Sequence, residues 1–473
     1  MPGPDGLRRE LRFWEAIALS IAIMAPTAAM ALNGVAIAGL IGPAVPLAFL
    51  FALVGVMLVS YAFVQLTREV SHAGSVYAFT GLTLGPRAGF LAGWALLGTY
   101  LAFTVASTAE VGLFFSSFLA STGIADNADW IWIALVAGLL IAFVAYGDVR
   151  VAARSLLTME GFSVALIVIL VVFIFAKLIG GSAPGAHAHS LSAAFSLPAG
   201  TTLDAVATAA VFGFLSFAGF EGAAALGEET DEPRRNIPRA IFLAPLAVGV
   251  FYLFVIVAQT LGFGTDPGGV KAFAGSSSPL GDLSKLYVGA GLQDAINLGA
   301  AISAFASGLG TATAGSRVLF ALARDGLPGS PLGRASSRTG APAGALAVVM
   351  AVGFAGIVGQ RLAGTNAANA FFYPGTIGVL SLLVAYIATN LGAIAHLFVR
   401  ARRRPLWELV FPILGIAFLC FTIYKNVAGT SAPYDRFPWI VLAWLAAGGL
   451  VVALAPGVAR RIGVALTREL GGG

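Results

Sequence analysis

The chain has 473 residues, of which 58% are hydrophobic and only 10% are charged, with a formal net charge of +5. Soluble proteins carry about a quarter charged residues, so this composition excludes an ordinary soluble domain. Long apolar runs recur from end to end, which predicts an all-α polytopic membrane protein embedded in a lipid bilayer. The basic residues form short clusters between these runs and show no pattern of nucleic-acid binding, so we expect no nucleic-acid partner.

The apolar runs predict about twelve membrane spans, because each run can supply the roughly 20 helical residues that cross the hydrocarbon. We number them span 1 to span 12 in chain order. They lie within residues 14–39, 44–66, 87–120, 129–147, 154–180, 202–226, 239–263, 291–322, 342–359, 367–399, 407–425 and 437–456.

The distribution of basic residues predicts the orientation in the cell membrane. With a cytoplasmic N-terminus, 21 of the 27 lysines and arginines fall on the inner side and 6 on the outer side. Inner loops of membrane proteins carry this excess, so residues 1–13 and 457–473 are both predicted to be cytoplasmic. The first apolar run continues to Leu40, which is too long for the core of a cleaved signal peptide.

Span 1 carries a proline near its middle, in the stretch ALSIAIMAPTAAMALNG. Proline lacks an N–H group and clashes with the preceding turn, so we expect the helix to break near Ala25. A second half-helix starting at Pro26 would direct the N–H groups of Thr27 and Ala28 into the membrane centre. Such a helix start binds anions, whereas the alternative is a kinked but continuous helix.

Three glutamates lie inside predicted spans: Glu110 in span 3, Glu160 in span 5 and Glu221 in span 6. A charged side chain costs about 2.5 kcal/mol or more at the bilayer centre, so each should face a cavity or a partner. Glu160 and Glu221 are candidates for ion coupling, and the alternative is a structural role. The role of Glu110 stays open. Ser303 and Ser307 in span 8 are weaker candidates for a sodium site.

The loop between spans 5 and 6 carries His187 and His189. Two histidines without a neighbouring Cys, Asp or Glu in the sequence make a poor metal site, so we predict an ordinary loop and no metal. The sequence also has no zinc-protease, nucleophile-elbow or nucleotide-binding motif. We therefore predict neither an enzyme nor a bound cofactor.

Span 6 reads ATAAVFGFLSFAGFEGAAALGEE and is interrupted by several glycines. We predict an unwound stretch from Ser216 to Gly219, whose carbonyl groups suit a cation such as an ammonium group. Spans 1 and 6 each open a group of five spans. Interrupted helices at corresponding positions are typical of transporters built from inverted repeats, which bind their substrate at the midplane. The predicted repeats cover residues 14–180 and 201–399, and two further helices lie in 407–456.

The charged stretch EETDEPRRNIPRA follows span 6. We predict a hinge into span 7, in which Pro233 and Pro238 stop and restart helices. Its acidic residues are expected to form a salt-bridged inner gate or a solvated loop.

Three stretches resemble the amino acid–polyamine–organocation (APC) superfamily of permeases. They are SHAGSVYAFTGLTLGPRAGFLAGW (71–94) after span 2, FLSFAGFEGAAALGEETDEPRRNIPRAI (214–241) and SRVLFALARDGLP (316–328) at the end of span 8. The resemblance implies a five-plus-five inverted repeat with two added helices, alternating access and a small amine-bearing substrate.

The resemblance also assigns a substrate site at the two breaks, with a carboxylate at span 1 and an amine at span 6. Pro26 departs from the usual glycine-rich break and removes one N–H, which would admit amines without an α-carboxylate, such as putrescine or ethanolamine. Phe220 matches an aromatic gate. The implied substrate-binding residues are Ala25, Pro26, Thr27, Ala28, Tyr100, Leu215, Ser216, Phe217, Ala218, Gly219 and Phe220.

Ion coupling is the second assignment that depends on the resemblance. Proton-coupled relatives place a lysine in span 5 where this chain has Ser163. We expect Glu160, three residues away, to take over proton coupling together with Glu221, and the implied ion-coupling residues are Glu160, Ser163 and Glu221. The predicted function is proton-coupled uptake of amino acids. An amine permease, an exchanger, a sodium-coupled carrier and, from another class, a channel are the alternatives, and the exact substrate and the oligomeric state stay open.

Overall fold

The structure is a computed structural model that describes residues 11–147, 149–185, 187–400, 404–428 and 430–471. Arg8, Arg9, Arg402 and Arg403, which the orientation prediction used, lie outside the described residues. The described chain is helical and contains no β-strand beyond one isolated bridge between Leu11 and Thr230. The all-α class is therefore confirmed.

Ten helical segments of the described chain are long and apolar enough to cross a membrane. One of them, Phe13–Thr67, contains both span 1 and span 2, which a 3-10 turn at Gly42–Ala44 separates. The shorter apolar helix Trp130–Tyr146 corresponds to span 4. These segments match the twelve predicted spans, and the chain is a multi-pass membrane protein.

The helix bounds follow the predicted spans closely. Spans 1 and 6 each consist of two pieces, and span 10 ends in a π-helix, Ile394–Arg400. The bounds are Phe13–Met24 and Pro26–Ile41 (span 1), Val45–Thr67 (2), Pro86–Ser121 (3), Trp130–Tyr146 (4), Val149–Ile179 (5), Leu203–Phe217 and Phe220–Leu226 (6), Pro233–Phe263 (7), Ala290–Gly326 (8), Ala343–Leu362 (9), Ala367–Ala393 (10), Val410–Val427 (11) and Phe437–Leu454 (12).

Four further helices of nine or more residues lie outside the spans in the described chain. Val76–Leu84 follows span 2, Pro267–Gly275 and Pro279–Tyr287 connect spans 7 and 8, and Pro456–Gly471 follows span 12. The helix Pro267–Gly275 starts there because the Asp266 side chain accepts hydrogen bonds from the first free N–H groups, those of Gly268 and Gly269.

Span 7 begins at Pro233 and continues through two interior prolines, Pro238 and Pro245. Proline is compatible with the first helical turn, and Pro233 starts the helix. The prediction that Pro238 restarts a helix is wrong. An interior proline removes one main-chain hydrogen bond, and the packing of span 7 along span 2 maintains the helix across that gap.

The core of the bundle lies around spans 1, 3, 6, 8 and 10. Spans 3 and 8 are the longest helices, with 36 and 37 residues, and they pack along each other. Every residue of the span 8 stretch SGLGTATAG (307–315) is buried. Small side chains let helix backbones approach closely in a membrane, so this stretch brings span 8 against both spans 1 and 3.

Candidate functional site

Span 1 breaks at Ala25, as predicted. The first half-helix ends at Met24, the second begins at Pro26, and Ala25 between them has a left-handed conformation with φ +44°. This conformation costs about 1–2 kcal/mol for a residue with a Cβ, so surrounding contacts must maintain it. The N–H of Ala25 bonds backward to the carbonyls of Ile21 and Ala22, both 3.1 Å away.

Span 6 breaks within the predicted stretch, but the break is shorter than predicted because Ser216 and Phe217 remain in the α-helix. Its α-helix ends at Phe217, Ala218 is extended, and Gly219 has φ +99°. The chain then continues as a 3-10 helix, Phe220–Leu226, a tighter form that the sequence did not predict.

The two breaks lie against each other in the middle of the bundle. The hydroxyl of Tyr252 on span 7 is 2.9 Å from the carbonyl oxygen of Met24 and 2.8 Å from that of Ser216. One hydroxyl hydrogen is therefore shared between the two breaks. On the other side of the breaks, the Ser20 hydroxyl donates to the Phe220 carbonyl at 2.6 Å and accepts from the Ala223 N–H at 2.9 Å. These side chains fix the relative position of spans 1 and 6.

Gly219 allows the closest approach between the two breaks, and its replacement by alanine is expected to separate them. A Cβ built on Gly219 would lie 2.0 Å from Cγ2 of Ile23 in span 1, well inside van der Waals contact. Left-handed strain and overpacking each cost about 1–3 kcal/mol, so Gly219→Ala should lower stability and reduce transport by at least roughly tenfold. Thermal unfolding in detergent and uptake into proteoliposomes measure the two effects.

Gly329 provides a control for the contact with Ile23. It has φ +86°, yet a Cβ there would meet nothing within 4 Å. Gly329→Ala thus imposes a positive φ on an alanine without the collision and should keep transport. Adding Ile23→Ala to Gly219→Ala should restore part of the lost activity. Equal damage from Gly219→Ala and Gly329→Ala would show that strain alone, and not the contact between the breaks, causes the loss.

A small cavity of about 40 Å³ lies between the two breaks. Pockets that hold small ligands measure about 300 Å³ or more, so a substrate must displace lining side chains such as Leu215, Phe103 and Phe371. The lining residues are Ile23, Met24, Ala25, Ala29, Asn33, Phe103, Ala106, Ser107, Glu110, Leu215, Ser216, Ala218, Ser307, Phe371 and Gly375.

Four of the predicted substrate residues line this cavity: Ala25, Leu215, Ser216 and Ala218. The others lie around it. Pro26, Thr27 and Ala28 form the first turn of the second half-helix, Phe217 and Gly219 flank Ala218, and Tyr100 and Phe220 lie beside Glu221.

The polar atoms that face the cavity without partners are mainly hydrogen-bond acceptors. Glu110 is 2% exposed, and Asn33 donates from Nδ2 to the Ser216 hydroxyl at 2.8 Å. Among the described residues, neither Oε1 of Glu110 nor Oδ1 of Asn33 has a hydrogen-bond partner. Buried acceptors of this kind favour a cationic or amine-bearing ligand. Glu110, whose role the sequence left open, therefore lies beside the predicted substrate site.

The N–H groups at the start of the second half-helix are largely occupied. Pro26 has none, and the N–H of Ala28 donates to the hydroxyl of Ser303 on span 8 at 3.3 Å. Within the described chain, Thr27 is the residue of this turn whose N–H has no partner, and its buried hydroxyl has none either. The predicted carboxylate site therefore offers fewer donors than a complete helix start.

Glu160 is connected to the span 1 break through Ser303. The Ser303 hydroxyl donates to the Glu160 carboxyl, 2.9 Å from Oε1 and 3.2 Å from Oε2, while its oxygen accepts from Ala28. Ser163 is separate from this relay, because its hydroxyl donates to the carbonyls of Gly299 and Met159 at 2.9 and 3.0 Å. The Glu160 carboxyl thus interacts with the turn that Pro26 begins.

Glu221 is held by two tyrosines below the break in span 6. Tyr100 of span 3 donates to Oε1 at 2.8 Å, and Tyr386 of span 10 makes a very short hydrogen bond to Oε2. Phe220 and Phe63 pack against the Tyr386 ring, with centroids 5.2 and 5.1 Å away. These side chains close the site toward the loop that follows span 2.

Beyond Glu221 lies an ion-pair network that joins the loops after spans 2 and 6 to the end of span 8. Arg324 of span 8 bonds to both carboxyl oxygens of Glu228 at 3.0 and 3.2 Å, and His72 lies 3.2 Å from Asp325. Burial acts to raise the pKa of Glu228, but the charges of His72 and Arg324 outweigh it and lower that pKa. The carboxylate therefore stays charged into mildly acidic pH, and the ion pair persists there.

A second, fully buried ion pair extends this network. Arg317 and Glu229 form a bidentate contact, with one nitrogen–oxygen distance of 3.0 Å, and the two side chains are 3% and 2% exposed. The hinge acids thus divide: Glu228 and Glu229 are salt-bridged, whereas Asp231 and Glu232 are exposed. This arrangement fits both halves of the expectation for the hinge.

Each of the two outer-loop histidines forms a hydrogen bond with a residue that is distant in the chain. His187 Nδ1 lies 3.1 Å from both carboxyl oxygens of Asp266, and His189 Nδ1 lies 2.6 Å from the Leu261 carbonyl oxygen. The hydrogen bond with His187 is the main reason that the pKa of Asp266 falls to about 2. Asp266 is near His187 in space but 79 residues away in the chain, so a local reading of the sequence missed it. The described residues contain no group of three or more side chains that could hold a metal ion.

Comparisons with known proteins agree with this architecture. A family model described as amino acid permease matches residues 15–429. A low-affinity putrescine importer of Escherichia coli is 25% identical over 94% of this chain and 93% of its own length. A branched-chain amino acid permease of Bacillus subtilis is 28% identical over 69% of this chain and 70% of its own. A mitochondrial cationic amino acid transporter of Arabidopsis thaliana is 27% identical over 64% of this chain and 49% of its own.

Proposed function

Because this chain belongs to the amino acid permease family, we propose that it is a secondary active transporter of small amine-bearing molecules that works by alternating access. Two broken helices that meet at a central cavity support this proposal, since such helices expose main-chain groups at the substrate site of transporters. We place the protein in the cell membrane with both termini in the cytoplasm, on the distribution of its basic residues.

The single observation that carries the substrate class is the Glu110 carboxyl in the central cavity. Its Oε1 faces a site that also contains Oδ1 of Asn33, and both are acceptors without a partner in the described structure. No described residue donates to the Ala218 carbonyl, so Ala218 adds a third acceptor among the residues that line the cavity. An ammonium group offers three donors and one positive charge, which match these acceptors in number and in charge.

An amine that lacks an α-carboxylate fits this cavity best. Pro26 and Ala28 leave the start of the second half-helix poor in free N–H groups, so a carboxylate would be incompletely solvated there. The relatives transport putrescine, branched-chain amino acids or cationic amino acids by their names, so similarity does not choose between these classes. An amino acid remains the second candidate, and the N–H and hydroxyl of Thr27 favour it.

The relay from Glu160 through Ser303 to Ala28 supports proton coupling. A carboxyl group can gain or lose a proton, and here such a change would act through Ser303 on the first turn of the second half-helix of span 1. Sodium is less well supported, because Ser303 and Ser307 already use their hydroxyls. Ser307 donates to the Ile23 carbonyl at 3.2 Å and lies 2.9 Å from the Ser107 hydroxyl.

Substrate pairs that differ only in the α-carboxylate test this proposal. Putrescine and ornithine, ethanolamine and serine, and isobutylamine and valine are such pairs. We would measure uptake of each labelled compound into proteoliposomes in sodium-free buffer, with an inward proton gradient. An unsatisfied carboxylate costs about 1–3 kcal/mol. In at least one pair, the concentration that gives half-maximal uptake should therefore be roughly tenfold lower for the amine than for its amino acid.

The other outcomes are equally informative. Preference for the amino acid in every pair would remove the amine proposal and support the second candidate. Uptake that needs sodium, or that occurs only with substrate preloaded inside, would remove proton symport but keep the transporter. Chemical change of a compound, or flux that never saturates, would remove the transporter class altogether.

A further inference from the structure

A groove lies between spans 2, 7 and 11. Its volume is about 1360 Å³. One end is apolar, with Leu53, Val54, Leu243 and Leu246 among the lining residues. Val54 and Leu243 are 53% and 41% exposed on the surface that a membrane protein turns toward lipid.

The other end of the groove is strongly basic. Four arginines line it, namely Arg68, Arg234, Arg235 and Arg239, and the lining residues include no Asp or Glu. All four side chains are exposed. Arg235 pairs with the exposed Glu232 at 3.2 Å, whereas Arg234 and Arg239 form no ion pair or hydrogen bond with any described residue. The groove therefore has unneutralised positive charge at one end.

A second observation at the same end also indicates an anion. The side-chain oxygen of Gln65 accepts from Arg68 at 3.3 Å and from Arg404 at 2.5 Å, so two guanidinium groups converge on one neutral acceptor. The carboxylate of Glu408, just before span 11, is hydrogen-bonded by Tyr61. Like charges repel, so an anion between them and the span 7 arginines would stabilise this arrangement.

The length of the groove matches half a bilayer. Leu53 and Arg68 are fifteen residues apart on one helix, which is about 22 Å at 1.5 Å per residue. Half of the hydrocarbon core measures about 15 Å, and the headgroup layer adds several more. An acyl chain can therefore lie along span 2 while its phosphate reaches the arginines. The basic end carries the loops that the charge distribution assigns to the cytoplasm.

We infer that this groove binds one anionic phospholipid of the cytoplasmic leaflet, with the acyl chains along spans 2 and 7 and the phosphate between Arg68, Arg234 and Arg239. Arginine is suited to this role because its planar guanidinium binds phosphate oxygens through two parallel hydrogen bonds. Basic pockets between spans on this face of a membrane bind anionic headgroups. The apolar wall selects a lipid over free phosphate.

The bound lipid would join the start of span 7 to span 2. Arg234 and Arg239 lie in the first turns of span 7, directly after the hinge that contains the Glu228 and Glu229 ion pairs. Spans 2 and 7 pack along each other and flank the two breaks. A lipid bound in the groove should therefore raise the stability of the whole bundle.

Native mass spectrometry of the full-length protein, with lipids of matched chain length, tests this inference. Phosphatidylglycerol should bind in a one-to-one ratio and more tightly than phosphatidylcholine. Each arginine near an anionic lipid contributes about a factor of five in affinity, so Arg234→Gln combined with Arg239→Gln should weaken phosphatidylglycerol binding roughly 30-fold. Thermal unfolding with each lipid gives a second readout of the same site.

The matched control is Arg334→Gln combined with Arg338→Gln, which removes two exposed arginines from the loop between spans 8 and 9, outside the groove. This control should leave phosphatidylglycerol binding unchanged. Equal loss in the control, or equal binding of the two lipids, would overturn the inference and attribute the arginines to topology alone. Equal stabilisation by inorganic phosphate or by a short-chain phosphatidylglycerol would show an anion site without an acyl-chain site, and would overturn it too.

Discussion

Replacing Glu110 with glutamine is expected to abolish concentrative uptake of the amine substrate. The substitution keeps the size of the side chain but removes the carboxylate that lines the central cavity. Loss of one partner from a buried charge pair costs about 2–5 kcal/mol, which corresponds to a decrease of roughly 30-fold to several thousandfold in kcat/KM. Initial rates of labelled amine uptake over a range of concentrations measure this effect. We expect the decrease in kcat/KM to result mainly from a higher KM.

Glu110→Asp is the matched variant, because it preserves the charge and withdraws it by one methylene. It should retain more of the uptake than Glu110→Gln does. Glu15→Gln is a control for the loss of a glutamate outside the cavity. Glu15 lies at the start of span 1 and pairs with the exposed Arg154 at 3.6 Å, so this variant should leave the KM for the amine unchanged. An unchanged KM in Glu110→Gln would show that the cavity carboxyl does not bind the substrate, whichever amine is used.

The main chain of the site was largely predictable because its causes are local. Pro26 lacks an N–H and must disrupt span 1 just before it, and the structure breaks at Ala25. Gly219 permits a positive φ, and span 6 breaks at Ala218 and Gly219. Pro238 is the counterexample: its local signal was similar to that of Pro26, but the packing of span 7 against span 2 outweighed it.

The partners of the buried acids were not predictable, because they depend on contacts between distant spans. Ser303 lies 143 residues from Glu160, and Tyr386 lies 165 residues from Glu221. The sequence singled out the three glutamates by their cost in a membrane and favoured Glu160 and Glu221 for ion coupling, but it left the role of Glu110 open. Only the arrangement of spans 1, 3 and 6 shows that Glu110 lines the cavity, whereas Glu221 is enclosed by two tyrosines.

The geometry around Glu160 gives a physical route from a proton to the span 1 break. With Glu160 ionised, the Ser303 hydroxyl donates to it, and the Ser303 oxygen is free to accept from the Ala28 N–H. A protonated Glu160 can instead donate to Ser303, so the Ser303 oxygen then accepts from two donors and its own hydrogen must turn to another acceptor. We therefore expect protonation to alter the contact that holds the second half-helix of span 1 against span 8.

Glu160→Gln is therefore expected to separate coupling from transport. The neutral amide cannot change its charge, so accumulation driven by an inward proton gradient should fall at least roughly tenfold, which corresponds to about 1.4 kcal/mol of lost coupling. Exchange of internal for external substrate needs no net proton movement and should stay within about threefold of the unmodified protein. Uptake with and without the gradient, and counterflow, measure the two quantities in the same proteoliposomes.

Two serines provide the decisive comparison for this relay. Ser303→Ala removes the hydroxyl between Glu160 and Ala28 and should reproduce the loss of gradient-driven accumulation. Ser163→Ala removes a hydroxyl that bonds only to main-chain carbonyls in spans 5 and 8, and should leave coupling intact. If both serine variants behave alike, local packing explains the result and the relay does not. If Glu160→Gln still accumulates substrate against a gradient, then the coupling proton binds elsewhere, and Glu110 is the carboxyl that the cavity leaves to carry it.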